Sequence, residues 1–233
     1  MKVIVFDLGG TLMEFQNMPL SWVNYYKKGF ESIAKALNNN ISNDDIDLSV
    51  EIMKSYNPRV NYREIEYTSQ FIFEESLKHW KGDIDIEKAI KIFFDGINLM
   101  AVIYRDSIDM LKYLKSQGYI ICALTDIPSA MPDKYFKDRI SELLKHIDLY
   151  VSSQSCGYRK PNPYGIKLIA DNYNVRLSDL IFVGDEEKDK KLSEKIGCKF
   201  YLIDRKEENK NADIHNMLDL KNILKCSLPL EVK

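Results

Sequence analysis

Five polar side chains that could take part in catalysis follow the apolar stretches of the chain. They are Asp7, Thr125, Lys160, Asp185 and Asp189. Three carboxylates in one place repel one another, and Mg²⁺ relieves the repulsion because it prefers carboxylate, carbonyl and water oxygens. A carboxylate that stays partly free can attack phosphorus, while a lysine and a hydroxyl suit the phosphoryl oxygens. These residue types predict phosphoryl transfer at a magnesium site.

The elements that must position these side chains are short apolar runs of strand length. They are VIVF (3–6), YIICAL (119–124), IDLYV (147–151), LIFV (180–183) and KFYLI (199–203). Most lack polar alternation, which is typical of parallel strands buried on both faces. Helical patterns follow at 107–118, 162–174 and 188–197. This alternation predicts an α/β fold with a Rossmann-like parallel sheet and helices on both faces.

The order of strands and helices also predicts where the polar side chains meet. In open parallel sheets, ligands bind beyond the carboxyl ends of the strands, where the strand order reverses. If the predicted strands are neighbours, all five side chains converge on one crevice. Gly9 and Gly10, which follow the first strand in FDLGGT, would let backbone groups approach phosphate and metal closely.

The stretch between the first strand and the later strands has a different pattern. It contains helical patterns at 21–37, 45–56, 62–80 and 85–100, and it contains no clear strand. Ser42 or Asn43 is the expected N-cap of the second of these helices. We therefore predict an all-helical cap domain over 14–101, inserted into a catalytic core formed by 1–13 and 102–233. Its many aromatic residues are expected to form its own core, with some lining the pocket.

Composition and charge narrow the class of protein. The 233 residues are 45% hydrophobic and 29% charged, with a net charge of −2 and no basic tract. This favours a globular protein that binds neither nucleic acid nor membrane. The N-terminus resembles no secretion signal, and the four cysteines form no CxxC pair, so free thiols in the cytoplasm are expected. The expected partner is a small phosphorylated metabolite, and the expected state is a monomer or homodimer.

The ordered motifs FDLGGT, LT, YRKP and GDEEKD resemble those of the haloacid dehalogenase-like superfamily of hydrolases. The resemblance covers nearly the whole chain and fits best the subgroup with a helical cap after the first core strand. It implies Asp7 as nucleophile, with Thr125 and Lys160 on the phosphate. It also implies Mg²⁺ bound by Asp7, the Gly9 carbonyl and Asp185, with Asp189 orienting Lys160 or a metal-bound water.

Two positions depart from the pattern of the family. The residue two after the nucleophile is usually a second aspartate that protonates the leaving group, and here it is Gly9. General acid–base help is worth a factor of roughly 10² to 10⁴. Glu14 is a candidate substitute, although an exposed residue at the start of the cap would look the same. Asp126 stands where asparagine is common; its N–H can face phosphate, and we expect its charge to point away.

The departure at Gly9 leaves several functions open. The chain fits a phosphatase acting on good leaving groups or using a substitute acid. A 2-haloacid dehalogenase also lacks the second aspartate, since halide leaves without a proton, but it does not require the metal motif of Asp185 and Asp189. A phosphoryl-ligand binding protein with weak or no catalysis is the third reading. A receiver domain is disfavoured by the helical insert. Arg59 and Arg63 are candidates to meet a second anionic group, although surface arginines are common.

Overall fold

The computed structural model describes residues 2–16, 22–37 and 41–226, with the side chain of Cys226 excluded. Its centre is a five-stranded parallel sheet in the order β5-β4-β1-β6-β7. The strands are β1 (Lys2–Phe6), β4 (Tyr119–Thr125), β5 (Leu149–Ser152), β6 (Ile181–Gly184) and β7 (Lys199–Leu202). All five lie where the apolar runs predicted them, so the α/β sheet is confirmed.

Side chains of the central strands alternate between two apolar cores. Ile4 and Phe6 of β1 face one core, and Val3 and Val5 face the other. The first core includes α5 (Arg105–Ser116) and α11 (Met217–Cys226); the second includes α9 (Tyr164–Tyr173) and α10 (Glu187–Ile196). Because both faces are covered, the strand residues are apolar without polar alternation.

Three short helices complete the core, and none of them was predicted from the sequence. They are α6 (Asp133–Arg139), α7 (Ser141–Leu144) and α8 (Ser153–Cys156). Each has seven residues or fewer, which is too short for a helical period to stand out in the sequence. Among the described residues, no helix is both long enough and apolar enough to cross a membrane.

In the described part of the stretch between the first strand and the rest of the sheet lie four helices. They are α1 (Val23–Leu37), α2 (Asn43–Ser55), α3 (Ser69–Leu77) and α4 (Ile86–Ile97). Ser42 is the N-cap of α2, where its hydroxyl and the Asp45 carboxylate form a reciprocal capping box. Fully or nearly fully buried aromatic rings join these helices: Phe93 makes edge contacts with Phe30 and Phe73, and these two rings contact each other in a tilted arrangement. We call residues 22–100 the helical segment.

Two predictions for this region were wrong in detail. A short antiparallel ribbon of β2 (Met13–Phe15) and β3 (Ala101–Ile103) connects the helical segment to the core, where no strand was expected. The helical pattern at 62–80 yields a helix only from Ser69, because the Thr68 hydroxyl accepts the Phe71 N–H as an N-cap. Residues 64–66 instead pair with the loop at 157–159.

Candidate active site

The loop after β1 places Asp7 at the centre of the sheet edge. β1 lies between β4 and β6, and the Asp7 N–H donates to Val183 O at 2.9 Å. The chain then turns back on itself through hydrogen bonds from Thr11, Leu12 and Met13 to Leu8 O. Gly10 has a φ of 74° within this turn. A glycine is needed there because that φ strains any residue with a Cβ.

Three carboxylates meet beyond the carboxyl ends of β1 and β6, as predicted. One oxygen from each of Asp7, Asp185 and Asp189 lies within 4.8 Å of the others. Burial, with the nearby charges of Asp7 and Asp189, raises the pKa of Asp185 well above its usual range. Burial also raises the pKa of Asp189, to about 6. Crowded, buried carboxylates of this kind match the oxygen ligand set of a hard divalent cation, so these residues fit Mg²⁺.

Lys160 supplies the positive charge at the centre of this cluster. Its Nζ lies 2.7 Å from Asp7 Oδ1 and 2.7 Å from Asp189 Oδ1, and its side chain is 1% exposed. Burial opposes the charge on Lys160, but the carboxylates of Asp189 and Asp7 outweigh it and raise the pKa of the ammonium. A lysine held charged between two carboxylates can contact an oxygen of an anion bound to Asp7.

The first turn of α10 fixes Asp189 in place. Its Oδ2 accepts the Glu186 N–H at 3.1 Å, which satisfies one of the free donors at the start of the helix. The last residue of β6, Gly184, has no room for a side chain, since a Cβ there would lie 2.6 Å from Asp189 Oδ2. Gly184 was not predicted as a site residue. Its place directly before Asp185 is the sequence signal that could have indicated its role.

Thr125 and Asp126 follow β4, the neighbour of β1 on its other side. Thr125 is 3% exposed and lies at the end of β4, opposite Ser152 of β5. Asp126 Oδ1 accepts the Lys160 N–H at 3.0 Å, and Lys188 Nζ lies 3.1 Å from Asp126 Oδ2. Burial would raise the pKa of Asp126, but Lys188 and Arg159 outweigh burial and lower it. The charge of Asp126 is therefore balanced by Lys188, which lines the same cavity, rather than pointing away as the sequence predicted; the pairing with Lys188 was not foreseen.

Comparison with known proteins identifies the family of this chain. A protein-family model described as haloacid dehalogenase-like hydrolase matches residues 1–196. The chain belongs to the haloacid dehalogenase-like hydrolases. It is 20% identical over 210 residues to a phosphoglycolate phosphatase of Aliivibrio fischeri (strain ATCC 700601 / ES114), a match covering 87% of this chain and 83% of the relative.

Solved structures share the fold of this hydrolase. A HAD phosphatase from Thermococcus onnurineus superposes with a TM-score of 0.61 at 18% identity, covering 96% of this chain and 98% of that one. A dehalogenase superposes with a TM-score of 0.57 at 18% identity, covering 95% and 96%. At this identity the similarity shows the fold alone, and the fold accommodates a phosphatase and a dehalogenase equally.

Gly9 leaves open space at the position where a side chain would enter the site of this hydrolase. No heavy atom of the described residues lies within 4 Å of a Cβ built on Gly9, apart from its chain neighbours. Gly9, Glu14 and Tyr104 line the same cavity, and the Tyr104 hydroxyl donates to Glu14 Oε2 at 3.0 Å. Burial and the hydrogen bond to Glu14 raise the pKa of Tyr104. The partner of Glu14 was not foreseen from the sequence.

The cavity around these groups has a volume of about 1200 Å³ and lies between the core and the helical segment. Arg59 and Arg63 both line it, but both are engaged by carboxylates. Arg59 Nη2 lies 2.5 Å from Glu186 Oε1, and Arg63 Nη1 lies 3.0 Å from Glu66 Oε1. Arg59 therefore connects the helical segment to the core, whereas Arg63 is bonded within the helical segment, and each guanidinium is already paired with a carboxylate.

The described cysteines take no part in the site. Cys122, Cys156 and Cys198 are free thiols. Burial raises the pKa of Cys122 to about 12 and that of Cys198 to about 11. Such thiols are unreactive, in agreement with the prediction of free cysteines. The side chain of Cys226 lies outside the described part of the chain.

Proposed function

We propose that this hydrolase is a Mg²⁺-dependent phosphatase that acts on a small phosphorylated metabolite through an aspartyl phosphate on Asp7. The observation that carries the proposal is the buried cluster in which Asp7 meets Lys160 and two further carboxylates. A nucleophilic carboxylate, a fixed cation and a hard-metal ligand set are the parts that phosphoryl transfer needs. The phosphoglycolate phosphatase relative supports the same reaction class.

The metal would be held by Asp7, the main-chain carbonyl of Gly9 and Asp185, with Asp189 beside them. The high pKa of Asp185 supports this assignment, because excess negative charge in a buried site favours a bound cation. When bound, Mg²⁺ neutralises charge on the phosphoryl oxygens and on the nucleophile. Gly10 lies against Asp185 and keeps the turn close to that carboxylate.

The proposed chemistry has two steps on Asp7. In the first, a carboxylate oxygen of Asp7 attacks phosphorus; the bond to Asp7 forms as the ester P–O bond breaks, and the leaving group departs as an alkoxide that takes its proton from water or from an acidic group. In the second, water attacks phosphorus, the bond to Asp7 breaks, and inorganic phosphate is released with the carboxylate restored. Lys160 and the Thr125 hydroxyl contact the oxygens of the transferred phosphoryl group, and the N–H of Asp126 is a further hydrogen-bond donor to them.

The leaving group is where this chain differs from the usual pattern. With Gly9 in place of an acid, the alkoxide must leave unaided or take a proton from another group. We therefore infer a preference for esters with good leaving groups, since these need little protonation. Glu14, with Tyr104 as its hydrogen-bond donor, is one of the acidic groups that line the same cavity as Gly9, and it is our candidate for the substitute acid.

The helical segment is proposed to act as the cap of the site, with the domain boundaries predicted from the sequence at 14–101. Its residues form one wall of the cavity that contains Asp7. The ion pair between Arg59 and Glu186 joins this wall to the residue after Asp185. A cap in this place excludes water from the phosphoryl group and contacts the leaving group, so it decides which ester enters.

The deciding experiment is a screen of phosphate esters with and without Mg²⁺, beside release of halide from short 2-halo acids. We expect Mg²⁺-dependent release of phosphate, fastest from aryl phosphates. Asp7→Asn should abolish turnover while Mg²⁺ and inorganic phosphate still bind. Halide release without metal would instead support the dehalogenase, and phosphate binding with no turnover of any ester would support a binding protein. Metal-independent hydrolysis would reject the proposed mechanism.

A further inference from the structure

Glu66 is a buried carboxylate of the helical segment that contacts the core, outside the cluster around Asp7. Its side chain is 3% exposed. Oε1 accepts from Arg63 Nη1 at 3.0 Å and from the Tyr67 N–H at 3.1 Å. Oε2 accepts from the Ser153 hydroxyl at 2.6 Å and from Arg159 Nη1. Its partners therefore come from both sides of the cavity.

The backbone on each side of Ile65, which precedes Glu66, pairs with the loop that leads to Lys160. The Arg159 N–H donates to Glu64 O at 2.7 Å, and the Glu66 N–H donates to Gly157 O at 2.9 Å. These two bonds flank an antiparallel bridge between Ile65 and Tyr158. The loop immediately before Lys160 is thus held by a strand-like pairing with the helical segment rather than by the core sheet.

The same carboxylate also reaches the loop that follows Thr125. Ser153 Oγ, which donates to Glu66, accepts the Ile127 N–H at 3.0 Å. Arg159 Nη1, which also donates to Glu66, donates to Ile127 O at 3.0 Å. Both main-chain groups of Ile127 are therefore bonded to direct partners of Glu66.

Glu66 is the carboxylate that balances the positive charges of two arginines in this cluster. Arg63 and Arg159 share its single carboxylate, and the three side chains are 13%, 7% and 3% exposed. Burial lowers the pKa of Arg63, and the charge of Arg159 lowers it further, against the opposing effect of Glu66. Without the carboxylate, two buried guanidinium groups would repel each other across the junction.

We infer that Glu66 is a positioning residue that couples docking of the helical segment to the order of the two phosphate-contacting loops. When the helical segment is docked, Glu66 holds Ile127 and Arg159, and so Thr125 and Lys160 stand at their places around Asp7. When it separates from the core, both loops lose their shared anchor. The roles of Thr125 and Lys160 in this inference rest on the proposed phosphatase function, but the coupling itself does not.

The test is hydrogen exchange, measured on the intact protein for Glu66→Gln and for the matched control Glu51→Gln. The first substitution keeps the side-chain volume and removes the charge. Glu51 loses the same charge on an exposed face of α2, where it contacts Lys54. We expect faster exchange in Glu66→Gln at 125–130 and 157–160, with α9 and β1 unchanged and the control equal to wild type. Unchanged exchange at both loops, or equally faster exchange everywhere, would overturn the inference.

Kinetics give a second readout that a purely structural role would not produce. We expect kcat with an aryl phosphate to fall about ten- to a hundredfold in Glu66→Gln, with KM changed much less, because misplaced groups act on the transition state. Arg159→Gln should add little to that loss in the double variant, since both changes break one connection. Additive losses would contradict the coupling. If the wild type hydrolyses no phosphate ester, the proposed function fails and hydrogen exchange still decides the role of Glu66.

Discussion

Gly10 lies in contact with Asp185 at the edge of the sheet. The next residue, Thr11, donates a hydrogen bond from its hydroxyl to Asp185 Oδ1 at 3.3 Å, although the two are 174 positions apart in the chain. A Cβ on Gly10 would lie 2.0 Å from Asp185 Oδ2. The loop after β1 and the end of β6 therefore fit together only when the loop residue has no side chain. This contact brings the loop after β1, which carries Asp7, close to Asp185, the proposed metal ligand.

Gly10→Ala should accordingly weaken Mg²⁺ binding and lower phosphatase activity by about tenfold or more. The new methyl group must displace the Asp185 carboxylate, and the φ of 74° adds strain of about 1 kcal/mol or more. Titration calorimetry with Mg²⁺ measures the first effect directly. Gly9→Ala is the matched control, since a Cβ there meets open space. Equal Mg²⁺ affinity in both variants would refute the steric argument.

Gly9→Asp should increase turnover of alkyl phosphates. The position has room for the new carboxyl group, and a general acid is typically worth a factor of roughly 10² to 10⁴ when well placed. The gain should be much smaller for aryl phosphates, whose leaving groups need little protonation. Gly9→Asn has nearly the same shape and carries no acidic proton, so it should show no gain. If the asparagine variant gains as much, the effect is not acid catalysis.

Lys160→Met should destabilise the metal-free protein by about 3–5 kcal/mol. The substitution removes the ammonium and leaves Asp7 and Asp189 as buried carboxylates without their cation. Added Mg²⁺ should then raise the melting temperature of Lys160→Met more than that of the wild type, because the metal replaces the missing charge. Lys91→Met, at an exposed ion pair with Asp95, should change stability by well under 1 kcal/mol. A metal response no larger than that of the wild type would show that Mg²⁺ does not replace the charge of Lys160 in this cluster.

Tyr26 should make stability depend on pH in the alkaline range. Burial raises its pKa from 10.0 to about 12, against the opposing hydrogen bond from Asn57. Because the folded state favours the neutral phenol, this contribution is complete below pH 10 and is lost as pH rises through 12. The loss is about 1 kcal/mol by about pH 11 and approaches about 3 kcal/mol above the folded pKa.

Urea unfolding of the wild type and Tyr26→Phe at about pH 9 and pH 11 measures this contribution. The wild type should lose about 1 kcal/mol relative to the variant between the two pH values. Tyr164→Phe, on an exposed ring, should track the wild type. A constant difference between the wild type and Tyr26→Phe would mean that the phenol titrates alike in the folded and unfolded chains.

The sequence by itself determined the local features of this protein. The buried parallel strands could be read from uninterrupted apolar runs, because a strand covered on both faces has no polar side. The side chains that end those strands were visible for the same reason, and the geometry brings Asp7, Lys160, Asp185 and Asp189 together. The absence of an acid at Gly9 was also plain from the residue alone.

Only the tertiary structure decided which distant groups pair. The helical pattern at 62–80 predicted a helix over the whole range. Residues 64–66 are not helical, because their backbone forms hydrogen bonds with residues 157–159. Arg59 was a candidate for a second anionic group, and only the fold shows that Glu186, 127 residues further along the chain, pairs with it. Periodicity reflects the burial of each segment in turn, whereas ion pairs and strand pairing depend on segments far apart in the chain, which only the folded chain brings within reach.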